Sequence, residues 1–169
     1  MKASMQTLAV WFVFGMSISL AAQSSAGIGD SPLPVLVPGV ATKHVYSVPG
    51  VTKFGNLETV FICTSDAPAP IRIGIEVFGG AGGLALNNVA GGASDLMPGA
   101  TATLSTGVLN GAFSDVVIFG LNPFGNGSAR ILSTSTQVLC TAMVLDSLNS
   151  PPTSMTTLPI IKKTTQKGD

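Results

Sequence analysis

Apolar and polar residues alternate strictly from Ile71 through Arg72, Ile73, Gly74, Ile75 and Glu76 to Val77, with the aliphatic side chains on one face and Arg72, Gly74 and Glu76 on the other. A period of two is the pattern of a half-buried strand. Apolar runs rich in β-branched residues recur at 57–64, 100–106, 114–120, 128–134, 137–145 and 155–163, with a shorter run at 43–48. Breaks of Gly, Pro and Asn separate them, such as Asp66-Ala67-Pro68-Ala69-Pro70, Gly79-Gly80-Ala81-Gly82-Gly83, Met97-Pro98-Gly99 and Asn122-Pro123-Phe124-Gly125-Asn126-Gly127. No segment carries a helical period, and the longest stretch free of Gly and Pro, 128–150, is crowded with β-branched residues. This punctuation predicts an all-β fold, an antiparallel two-sheet sandwich of seven to nine strands. Pro159, which lacks a ladder donor, places the last run at a sheet edge.

Residues 25–40 form a Pro- and Gly-rich arm. Its prolines fix φ and remove donors, so the arm is expected to be extended. Val37-Pro38-Gly39-Val40 recurs as Val48-Pro49-Gly50-Val51. Two copies do not make an elastin-like array, and each predicts a type II turn with Pro at i+1 and Gly at i+2.

The first 24 residues read as a cleavable secretory signal. Lys2 supplies the cationic start, residues 8–20 the apolar segment, and Ser19-Leu20-Ala21 or Ala22-Gln23-Ser24 the small-x-small cleavage site. The apolar run is short for a membrane span, contains Ser17 and Ser19, and lacks a cationic stop, so no stable span is expected after cleavage. The expected organisation is signal peptide 1–24, extended arm 25–40, β-sandwich domain 41–163 and flexible tail 164–169.

Export changes the meaning of Cys63 and Cys140, both set in apolar strand patterns. In an oxidising compartment an even pair forms a bridge. The alternative, a redox or metal-binding pair, calls for a short Cys-x-x-Cys spacing that this chain lacks. A bridge from an early strand to a late one resembles the inter-sheet pin of immunoglobulin-like domains. The single Trp, Trp11, lies in the signal, so the packing Trp of true immunoglobulin domains is missing and the resemblance implies an immunoglobulin-like architecture alone.

Charge is sparse: Asp, Glu, Lys and Arg make up 9% of residues, eight acidic and eight basic, while 46% are hydrophobic. Lys43, Lys53, Arg72 and Arg130 are scattered along the chain, which excludes the cation cluster that nucleic-acid binding needs. Lys162, Lys163 and Lys167 near the C-terminus are expected to be solvated.

Candidate chemistry is thin. Gly80-x-Gly82-x-x-Ala85 imitates a dinucleotide fingerprint, but Asn87, Asn88, Gly91 and Gly92 stop the helix that such a site requires, so a strand-connecting loop is expected. His44 is the sole histidine; no Gly-x-Ser-x-Gly elbow accompanies it, and a copper site would need a second His, so it is expected to pair with a neighbour on a strand surface. Glu58 and Glu76 are expected to be isolated surface acids rather than a glycosidase pair. Asp95, Asp115 and Asp146 are too dispersed for a calcium loop. Asn126-Gly127-Ser128 is a glycosylation sequon on an expected turn. No catalytic residue, cofactor or metal ligand is predicted. The candidate contact positions lie in Gly- and Asn-rich loops: Gly79, Gly80, Gly82, Asn87, Asn88 and Asn110.

Taken together, segments 44–51, 61–64, 74–83, 128–131, 139–142 and 151–155 resemble a group of small exported bacterial β-sandwich proteins. The resemblance spans most of the chain after the signal. It implies export and paired cysteines, and brings no activity with it. The expected role is that of a secreted, non-enzymatic domain, extracellular, at the cell surface or periplasmic, in structure, adhesion or binding to a protein or cell-surface ligand. The alternatives are a secreted hydrolase with unidentified catalytic residues and an assembly subunit that pairs through an edge strand in 155–163.

Overall fold

Ten strands build the computed structural model, which describes residues 28–29, 31–81, 84–110, 113, 115–118 and 120–163. The expected signal peptide 1–24 with Trp11, the loop residue Gly82 and the tail 164–169 lie outside the described residues. The strands are β1 (Lys43–Phe54), β2 (Leu57–Ser65), β3 (Ile71–Gly79), β4 (Ser94–Leu96), β5 (Thr101–Ser105), β6 (Asp115–Val117), β7 (Phe124–Ser133), β8 (Val138–Asp146), β9 (Met155–Leu158) and β10 (Ile161–Lys162). Among the described residues there is no α-helix, and a single 3-10 turn spans Val89–Gly92.

All ten strands belong to one hydrogen-bonded network. One run is β4-β3-β7-β1-β10 and the other β6-β5-β2-β8-β9. The β1–β2 hairpin joins them through just two pairs, Lys53↔Glu58 and Phe54↔Leu57. Elsewhere the chain itself turns the corners. Between β4 and β5 it turns at Pro98, where Ala100 N–H donates to the Met97 carbonyl at 2.9 Å. Between β9 and β10 it passes through Pro159. The wall therefore curls into a nearly closed, barrel-like sheet instead of two clearly separate layers. The β5–β6 pairing is parallel, a departure from the expected antiparallel arrangement.

The strand count exceeds the expected seven to nine for local reasons. The last apolar run divides at Pro159: Met155–Leu158 follows β8 and Ile161–Lys162 follows β1. The three-residue β4 is too short to leave a periodic signal. The two Val-Pro-Gly-Val copies behave differently. At 37–40 the expected turn forms, with Val40 N–H donating to Val37 at 3.1 Å and Gly39 at φ 77°. At 48–51 the chain continues as strand β1, and Gly50 at φ 83° supplies a bulge between Pro49 and Val51. Tertiary pairing with β7 overrides the local turn preference there.

Cys63 and Cys140 are bonded. They face each other directly in neighbouring strands β2 and β8, with Cα atoms 4.1 Å apart. That separation belongs to the closer, non-hydrogen-bonded kind of antiparallel pair, at about 4.5 Å, which brings side chains together. The bridge is therefore a cross-strand link within one stretch of sheet, not a pin between layers.

The interior is filled as the alternation predicts. Ile71, Ile73, Ile75 and Val77 of β3 meet Val48 and Val51 of β1, Phe61 and Cys63 of β2, and Ala129 and Ile131 of β7. Each fully buried aliphatic side chain contributes roughly 1.5–3 kcal/mol. The outer faces are also covered. Leu36 of the arm and Val89 of the 3-10 turn lie on Leu132, and Gly74 lacks a side chain where these two press against β3. On the opposite side, Leu109 packs on Val60 and Leu145.

Candidate functional site

The outer face of β3, expected to be solvated, is buried at Gly74 and Glu76, on the side where the N-terminal arm packs. Arg130 of β7 stands directly opposite Glu76 of β3 and donates to its carboxylate through Nε. Arg130 is 1% exposed and Glu76 8%. Three further guanidinium bonds go to the arm: Nη1 reaches the Ser31 carbonyl at 3.0 Å and the Ile28 carbonyl at 3.5 Å, and Nη2 the Pro32 carbonyl at 2.9 Å. The guanidinium also lies 5.3 Å from the centre of the Phe78 ring. A planar fork with five donors suits such a convergence of oxygens and an aromatic face. The prolines matter here because the arm, unable to form its own ladder, presents carbonyls to the arginine. Glu76 is thus a buried member of an ion pair, correcting the surface assignment.

His44 and Ser47 lie on β1 near this cluster. A bulge between His44 and Tyr46 lets residues three apart meet, and His44 Nε2 lies 3.0 Å from Ser47 Oγ and 3.0 Å from the Tyr46 carbonyl. Burial, then the charges of Lys163 and Arg130, lowers the His44 pKa below its ordinary value, which holds the ring neutral at pH 7. The histidine does pair with a strand neighbour, as expected, and it is half-buried rather than fully on the surface.

The second expected surface acid, Glu58, is also buried, at 8% exposure. Its carboxylate accepts the Thr106 hydroxyl at 2.6 Å, while Lys53 donates to the Thr106 carbonyl at 2.7 Å. Gly107 lies so close that a Cβ there would fall on the carboxylate. Burial pushes the Glu58 pKa above its ordinary 4.5, against the opposing pull of Thr106 and Lys53. The unfolded chain then ionises first, so this group makes stability fall as pH rises from about 4.5 through the folded-state value. Glu58→Gln is expected to gain stability over the native chain progressively across that interval and to hold the gain at pH 7. Urea midpoints of both proteins at half-unit pH steps measure it, and a difference independent of pH would contradict it.

Neither family models, nor curated proteins, nor solved structures match this chain.

The candidate contact loops are tied down by their amides. Asn87 accepts Val77 N–H through Oδ1 at 2.8 Å and donates to the Ile75 carbonyl at 2.8 Å, so it caps β3 where no strand pairs. Asn88 follows it. Asn110 donates to the Leu148 carbonyl at 2.8 Å. Gly79 pairs with Gly127 at the end of β3, and Gly80 begins the following turn. Gly79 and Gly80 line a shallow hollow of about 380 Å³ with Ile28, Phe78 and Asn126. Asn126 of the sequon is exposed, but it lies in β7 and not in the expected turn. Asp146 closes the 147–154 loop by accepting Thr153, Asn149 and Leu148 donors, which hold its carboxyl below the usual range. Among the described residues, no three His, Cys, Asp or Glu side chains gather as a metal site. No helix among them is long and apolar enough to cross a membrane.

Sequence reasoning missed Arg130. Its position at alternate spacing from Ala129 and Ile131 marks the outer face, but nothing local says that an arm a hundred residues away covers it.

Proposed function

We propose that this chain is an exported, non-enzymatic β-domain with a structural, adhesive or binding role at the cell surface or outside the cell. The observation that carries this reading is the Cys63–Cys140 bridge within the β2–β8 ladder. Such bonds form and persist in oxidising compartments. The secretory pattern of residues 1–24 supports the same address. In this reading the curled wall is a flattened immunoglobulin-like sandwich, its two faces being the runs that end in β10 and β9. The polar side chains support a scaffold role: buried Arg130 and Glu76 hold the arm, and Asp146, Asn87 and Asn110 hold loops.

The test is expression of the full chain, followed by cell fractionation and maleimide labelling before and after reduction. The protein is expected outside the cytoplasm, shortened at its N-terminus, and labelled only after reduction. Cytoplasmic retention with two reactive thiols would overturn the address. Saturable turnover of a polysaccharide, peptide or ester substrate, lost in Glu58→Gln, would overturn the non-enzymatic part.

A further inference from the structure

The barrel-like wall has a slot between β8 and β10 where strand edges face each other without pairing. Asp66 N–H donates to the Gln137 carbonyl at 3.0 Å, so the odd-numbered residues of β8 bond to β2. Asp146 N–H donates to the Ser154 carbonyl at 3.1 Å, so the even-numbered ones face β9. Pairing with β9 begins only at Ala142, which leaves the even positions Val138 and Cys140 beyond its end. The chain leaves β8 at Pro159 and joins β1, where Lys163 N–H donates to the Val45 carbonyl at 2.8 Å. By the same parity the backbone of Lys162 faces away from β1. The Tyr46 hydroxyl donates to the Val138 carbonyl at 2.7 Å and satisfies one slot-facing group. The Val138 N–H and both backbone groups of Cys140 and of Lys162 pair with no strand among the described residues. A groove of about 570 Å³ lies between these edges, lined by Asp66, Val138, Leu139, Lys162 and Lys163 among others.

We propose that this slot binds an extended acidic peptide by strand addition. Free ladder groups on strand edges recruit an extended backbone. Leu139 and Ile161, 62% and 55% exposed, flank the slot and offer apolar contacts to alternate side chains. Lys162 and Lys163 line the groove, and Lys43 lies two residues along β1 from the Val45–Lys163 pair, against the single acid Asp66. That excess repels a second copy of the same edge and attracts carboxylates. The occupant is therefore an acidic segment of another protein. The proposal rests on the binding reading above and names the partner's chemistry.

The experiment uses fluorescein-labelled heptapeptides, Glu-Thr-Val-Thr-Val-Thr-Glu, its counterpart with Lys in place of Glu, and the acidic peptide N-methylated at alternate residues in either phase. Anisotropy with the disulfide-bonded protein is expected to show the acidic peptide bound about tenfold more tightly than the basic one. N-methylation, which removes ladder donors and leaves side chains alone, is expected to weaken binding by about tenfold or more. Lys162→Pro deletes a slot-facing N–H while sparing the bonds of Ile161 and Lys163 to β1. It is expected to weaken binding beyond the loss seen in Lys162→Gln, which removes the charge alone. If Lys162→Pro fails to fold, the N-methylated peptides on the native protein decide the matter. Equal binding of methylated and unmethylated peptides, or no binding of the acidic peptide at millimolar concentration, overturns the slot. Turnover in the substrate panel would instead overturn the binding reading and leave the peptide result standing.

Discussion

Replacing Cys63 and Cys140 together by alanine is expected to cost up to ~4.5 kcal/mol of unfolding free energy, the chain-entropy value for a loop of this span. The two positions are 77 residues apart, so the bridge removes many conformations from the unfolded chain. The native wall loses little directly. Ile62↔Thr141 and Thr64↔Leu139 pair on either side of the bridge and hold β2 against β8 without it. The loss should therefore appear mainly through the unfolded state, as a lower denaturant midpoint and a steeper denaturant dependence. Folded stabilities are typically 5–15 kcal/mol, so the variant should remain folded in water and melt roughly 10–15 °C lower. Urea titration of native and double-alanine proteins, both without reductant, measures the effect. A loss below about 1 kcal/mol would mean that the unfolded chain is already confined without the bond.

Arg130→Ala is expected to cost about 3–5 kcal/mol, the usual penalty for leaving one member of a buried ion pair without its partner. Glu76 would be left under the arm without its partner, and the carbonyls of Ile28, Ser31 and Pro32 would lose their common donor. Two effects are combined in that loss, and a second variant separates them. Arg130→Met with Glu76→Leu removes both charges and keeps the volume apolar. Its stability should return most of the way to that of the native chain, because hydrophobic replacement of a buried pair is often neutral. Arm anchoring should not return, since methionine offers no donors. Hydrogen exchange across 31–36 and limited proteolysis of the arm should therefore show release in both variants, while global unfolding shows it only in the first. Protection of the arm in the double variant would assign its docking to Leu36 on Leu132 and Val89 instead.

The alternation around Ile71–Val77 was legible because a half-buried strand repeats every two residues, and these four side chains do fill the core. Its other face is covered as well, which the pattern does not reveal. Alternation reports which residues face the interior, and is silent on whether a distant segment covers the exterior. For that reason the sequence pattern alone places Glu58 and Glu76 at the surface, whereas Gly107 covers one and the arm the other. The position of Cys63 and Cys140 in strand patterns made a bridge legible. Their spacing said nothing of which strands are neighbours, so the link between layers expected by analogy proved to be a link along one wall.

The residue order by itself determined the all-β class, the approximate places of the longer strands and the availability of one cysteine pair. These depend on side-chain shape, period and local backbone preference, which act over a few residues. The tertiary structure alone decided the order of the strands, the curl of the sheet, the burial of Arg130 beneath the arm and the slot between β8 and β10. Each of these arises from pairing between segments tens of residues apart, where the partner, and not the local sequence, sets which face is covered and which edge is left open.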